Sequence, residues 1–152
     1  MSLEENKAIV RRFTEELNKG NIAIMDELLA PDFGHPALQL QGLESYKQFE
    51  TVTRKAFADL HDTIEDIIAE GDKVCVRAKV TGTHTGEWRI LLPHINKKVR
   101  LAPTGKKITL TYVGIYRIVD GKIVERETVY DLMDLYRQLG VIEYKELQED
   151  VS

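Results

Sequence analysis

The sequence predicts an α+β fold, a set of helices followed by an antiparallel meander. Two observations carry this. Apolar residues recur at helical spacing up to Ala58, and from Asp62 onward β-branched residues alternate between turn signals such as Gly71-Asp72 and Asp120-Gly121.

Ser2 with Glu5 forms a capping box, and Ile9, Val10, Phe13 and Leu17 behind it make one apolar stripe that ends at Gly20. A second, short helix is expected from Ile22 to Ala30, capped by Asn21 and stopped by Pro31. After an irregular segment over 31–41, a third helix from about Leu43 to Ala58 carries Tyr46, Phe49, Val52, Ala56 and Phe57. Three helices are thus expected before any strand. Strands then follow at 63–70 and 73–84, joined by Gly71-Asp72. In the second, Val74, Val76, Ala78, Val80, Gly82 and His84 share one face, and Cys75, Arg77, Lys79, Thr81 and Thr83 the other. A long strand over Lys107–Ile118 turns at Asp120-Gly121 into the last one. Tyr112, Val113, Ile115 and Tyr116 blur its alternation, so both faces are expected to be covered, one by the long helix and one by a second subunit.

Between Gly86 and Pro103 runs an apolar stretch headed by Trp88 and containing Ile90, Leu91 and Leu92. It is an edge hairpin packed on the sheet, a lid over a binding site, or an interface arm. Residues 1–142 make up the expected domain, and the acidic tail over 143–152 is expected to fray.

A chain of 152 residues is one domain's worth, and 43% hydrophobic with 30% charged residues describes an ordinary soluble globular protein. The net charge of −4 argues against a general nucleic-acid binder. Lys97, Lys98, Arg100, Lys106 and Lys107 read as solvated hairpin positions. Cys75 alone rules out an internal disulfide and fits a reducing cytoplasm. The N-terminus lacks the pattern of a signal peptide, and no uncharged apolar run is long enough to span a membrane. His35, His61, His84 and His94 have no metal-ligand spacing, so no metal is implied. Gly-x-Ser-x-Gly and phosphate-loop motifs are missing, and Pro103-Thr104-Gly105-Lys106 reads as a turn.

The chemistry concentrates at the end of the last strand. Asp131 sits where that strand hands over to a short helix ending at Gly140. It either caps the helix or points into a cavity whose apolar walls would raise its carboxyl pKa. If the alternation holds, Glu125, Glu127, Val129 and Asp131 share a face, and Glu127 and Asp131 would divide the acid and base roles between them. His84 ends an apolar row, as a pocket residue at the mouth or as a buried histidine satisfied by backbone. It and Tyr112 and Tyr116 are the candidate donors to an enolate, with the tyrosines otherwise packing in the sheet.

Several short pieces, in order, resemble the SnoaL-like polyketide cyclases of the nuclear transport factor 2-like superfamily. They are Phe57-Ala58-Asp59-Leu60, Gly71-Asp72-Lys73-Val74, Thr81-Gly82-Thr83-His84-Thr85-Gly86, Pro103-Thr104-Gly105-Lys106, Asp120-Gly121-Lys122-Ile123-Val124-Glu125 and Gln138-Leu139-Gly140. The resemblance covers nearly the whole chain. It implies a cone-shaped α+β roll and cofactor-independent cyclase or isomerase chemistry on a small hydrophobic carbonyl compound. It also assigns Asp131, before the Gln-Leu-Gly helix end, the role of general acid/base. Glu127 stands where the family commonly has Trp. The expected catalytic set is therefore Asp131, His84 and Glu127, and the expected ligand-lining set is Tyr112, Tyr116, Trp88, His35 and Phe57. A homodimer is expected, with no cofactor, nucleic acid or membrane partner. A non-catalytic binding or dimerisation module and an epoxide-hydrolase-like enzyme are the alternatives on the same fold.

Overall fold

The computed structural model describes residues 2–92 and 97–142. The tail over 143–152 and the side chains of Ile90, Leu91 and Leu92 lie outside the described residues. Helix α1 (Leu3–Asn18) starts at the capping box, with Ser2 Oγ accepting from Glu5 N–H at 3.1 Å. It buries Val10, Phe13 and Leu17. Helix α2 (Ile24–Leu28) is shorter than expected, and the chain passes at once into strand β1 (Leu29–His35), a single 3₁₀ turn at Pro36–Leu38 and strand β2 (Leu40–Gln41). Only then comes α3 (Leu43–Ala56). The expectation of three helices before any strand is corrected here. β1 is held by parallel pairing to a strand almost 100 residues away in the chain (Leu29 to Ile123, Gly34 to Glu125), and no local pattern records such a partner.

The meander follows as β3 (His61–Glu70), β4 (Lys73–Thr83), β7 (Lys107–Val119) and β8 (Lys122–Tyr130), then helix α4 (Leu132–Leu139). The main sheet has the order β2-β1-β8-β7-β4-β3, antiparallel except for β1 against β8. A separate hairpin, β5 (Trp88–Leu92) with β6 (Lys97–Leu101), leaves the main sheet between β4 and β7. α1 lies against β3, α3 against β1 and β5, and α4 against β7. Along β7, Ile108, Leu110, Tyr112, Tyr116 and Ile118 are buried while Val113 and Ile115 are exposed, a cleaner alternation than its sequence suggests.

One glycine sets the hairpin's departure angle. A Cβ on Gly86 would come within 2.5 Å of the Lys55 carbonyl oxygen, so only glycine lets the chain touch the end of α3. There the amides of Thr85 and Gly86 both donate to the Ala56 carbonyl, at 2.9 and 3.0 Å. The hairpin is thereby anchored to the end of α3.

Candidate active site

Between the inner face of the sheet, α1, α3 and the β5–β6 hairpin lies a cavity of about 1010 Å³. Phe13, Leu17, Phe57, Leu60 and Leu110 supply much of its wall, and Trp88, Arg89, Lys98, Val99 and Arg100 of the hairpin border it. Trp88 is buried and meets Phe57 edge-on, with ring centroids 5.2 Å apart.

Asp62, Glu50 and Arg126 bring charge to this wall from β3, α3 and β8. Asp62 opens β3 and is fixed from the end of α1: the Asn18 amide donates to the Asp62 carbonyl and accepts from its backbone N–H, both at 2.8 Å. The Asp62 carboxylate accepts the Tyr112 hydroxyl at 2.9 Å. From α3, Glu50 is ion-paired one turn on with Arg54 at 3.1 Å. From β8 comes Arg126, 5% exposed, whose Nη1 donates to the Tyr46 hydroxyl at 2.6 Å. Its guanidinium lies 5.2 Å from the ring centroids of both Tyr112 and Tyr116. Burial raises the hydroxyl pKa of Tyr46 and Tyr112 well above the ordinary value and pushes Tyr116 up to about 12, so all three are neutral donors at physiological pH.

Of the residues expected to line a ligand site, Tyr112, Tyr116, Trp88 and Phe57 line this cavity. His35, fully buried, sits behind the wall, its Nε2 3.4 Å from Thr128 Oγ1. The expected catalytic set is placed elsewhere. Asp131 caps α4, its carboxylate accepting from Asp134 N–H at 3.0 Å, and it is exposed and outside the cavity lining. Glu127 accepts from Ala37 N–H at 2.9 Å on the other face of β8. His84 is fully buried, stacked on Phe57 at 5.1 Å between centroids. Its Nδ1 accepts from Thr104 N–H at 3.3 Å and lies 3.0 Å from that residue's hydroxyl, which ties the turn before β7 to β4. Burial lowers its pKa, so the ring is neutral.

The reason lies in β8. Ile123 faces inward, and an uninterrupted alternation would carry Glu125 and Glu127 inward with it. A bulge intervenes: Ile118 pairs with Ile123 but the adjacent Arg117 pairs with Glu125, leaving Val124 as the extra residue. Beyond it the inward positions are Arg126 and Thr128. Glu125, Glu127 and Val129 do share a face, and it is the outer one. Sequence reasoning therefore passed over Arg126. It also passed over Asp62, although Asp62 and Ile64 alternate with exposed neighbours at the start of β3.

A protein-family model for SnoaL-like polyketide cyclases matches residues 8–139. The chain belongs to this family. Relatives include the aklanonic acid methyl ester cyclase DauD of Streptomyces sp. (strain C5), 28% identical over 137 residues that cover 87% of this chain and 80% of that one. The nogalonic acid methyl ester cyclase of Streptomyces nogalater is 29% identical over 125 residues, covering 81% and 88%. Among solved structures, AclR of Streptomyces galilaeus superposes with a TM-score of 0.77 at 28% identity, covering 93% of this SnoaL-like chain and all of its own. TsrD of Streptomyces laurentii has the same fold, with a TM-score of 0.77 at 24% identity and coverage of 93% and 99%.

Proposed function

We propose that this SnoaL-like protein is a cofactor-independent cyclase or isomerase acting on a small hydrophobic carbonyl compound, with Asp62 as the acid/base. The observation that carries the proposal is a carboxylate at the cavity wall with its backbone clamped by Asn18 and its side chain aimed by Tyr112. Asp62 takes a proton from a C–H next to a carbonyl. The C–H electron pair moves into the carbonyl to form an enolate, and the enolate carbon attacks a second carbonyl to make the new C–C bond. Protonated Asp62 then returns its proton to the resulting alkoxide, or to another carbon in an isomerisation. Phe13, Phe57 and Trp88 in the cavity wall offer water no strong hydrogen-bond acceptor, so charge that develops against them is screened less than in bulk water.

The relatives' substrates suggest the first compounds to test. With aklanonic acid methyl ester or a smaller 1,3-dicarbonyl compound in D₂O, the protein should speed deuterium uptake at the acidic carbon or release a cyclised product, read by mass spectrometry. Binding without exchange or product would favour the non-catalytic module in which the same cavity only holds a ligand.

A further inference from the structure

Arg126 has far more hydrogen-bonding capacity than the protein uses. A guanidinium is a planar fork of N–H donors that remains charged at any physiological pH. Among the described residues it makes one hydrogen bond, to Tyr46, and its Nε is buried without a partner. The ring faces of Tyr112 and Tyr116 compensate part of the charge but leave the N–H groups unanswered. Among the described residues no carboxylate is ion-paired with Arg126. The two acids of the cavity wall are engaged elsewhere, Glu50 with Arg54 and Asp62 with Tyr112. A buried cation without a counter-charge is unfavourable unless a ligand supplies one.

We propose that Arg126 is a built oxyanion site, and that the cavity's substrate class is a compound whose carbonyl or hydroxyl oxygen is held as a resonance-stabilised anion, an enolate or phenolate. Seated between two aromatic faces, the fork receives a planar conjugated oxygen more readily than a tetrahedral one. Asp62 and Arg126 flank Tyr112 on the same wall, so a proton taken by the carboxylate leaves its negative charge to collect beside the guanidinium. The inference rests on the reading of this cavity as the ligand site, but it does not require that Asp62 be the base.

The test uses p-nitrophenol, whose phenolate absorbs visible light and whose ionisation in the bound state is read by spectrophotometric titration. In the wild-type protein the bound probe should ionise at least about one pH unit lower than in water, a tenfold preference for the anion. Asp62→Asn should keep that shift, which separates this site from the acid/base proposal. Arg126→Gln should lose it. Replacing Arg89, Lys98 and Arg100 at the mouth by Gln should leave it in place. Should Arg126→Gln fail to fold, two further measurements decide. The wild type should bind p-nitrophenolate at least about tenfold more tightly than the neutral p-nitroanisole, and Tyr46→Phe, which removes the hydrogen bond that aims the guanidinium, should diminish that preference. No binding of the phenolate at millimolar concentration, equal affinity for the two probes, a shift that survives in Arg126→Gln, or a shift abolished by the mouth substitutions would each overturn the proposal.

Discussion

At the residue scale, ionisable side chains on this fold divide by which of them the cavity recruits. Asp131 has a complete local role as the cap of α4. Asp131→Ala should lower unfolding free energy by about 1 kcal/mol, whereas Asp131→Asn should nearly preserve it, since Asn caps as well as Asp. Equal stability of Asp131→Ala and the wild type in urea would contradict this. His35 makes a second residue-level prediction. Burial, with Arg126 nearby adding to it, lowers its pKa from 6.5 to about 3, so the folded state refuses a proton that the unfolded chain accepts. Its contribution is complete above pH 6.5 and is lost as pH falls from there toward 3. Between pH 7 and 5 the loss amounts to roughly 2 kcal/mol from this group. His84, also lowered by burial, acts with the same sign. His35→Gln should therefore show a shallower fall in stability over that range, and an unchanged slope would remove His35 from the account.

The elements show where sequence reasoning reaches and where it stops. The capping box of α1, the helical stripe of α3, the two-faced β4 and the Asp120-Gly121 hairpin are local patterns, and each is visible in consecutive residues. β1 is not, because its partner is distant in the chain and Pro31 and Gly34 within it read as breakers. The bulge at Val124 is the costlier omission. A single extra residue exchanges the faces of a strand, and it moved Glu127 outward and Arg126 inward. Phe57, Trp88, Tyr112 and Tyr116 were legible because large aromatic residues on inward positions line whatever space the fold leaves. The β5–β6 hairpin carries its own prediction. Trp88 is the only tryptophan, is buried against Phe57, has no partner for its indole N–H among the described residues and borders the cavity. Its emission should change when an aromatic ligand binds, and replacing 89–100 with a short Gly-Ser link should weaken binding more than it lowers Tm. Emission that ignores ligand would leave the hairpin as packing alone.

At the scale of the whole molecule, the sheet has two unlike faces. The inner one holds the core and the cavity. The outer one exposes Ile68, Ile115 and Val129 at 65%, 45% and 75%, and Val113 pairs across the strands with Val129. A second copy covering this face is the expected partner, and Ile115→Lys with Val129→Lys should then shift the mass seen by light scattering from dimer to monomer. A wild-type protein that is monomeric at micromolar concentration would contradict the expectation. The proposed chemistry depends on the inner face alone, where the cavity brings Asp62, Tyr112 and Arg126 together while α4 holds Asp131 outside. The most direct test compares Asp62→Asn and Asp131→Asn in one deuterium-exchange experiment on an acidic 1,3-dicarbonyl compound. Exchange should fall by a hundredfold or more, on the order expected for a lost general base, in Asp62→Asn and remain near wild type in Asp131→Asn. Exchange that survives in Asp62→Asn but vanishes in a folded Asp131→Asn would contradict the account and return the chemistry to the start of the last helix.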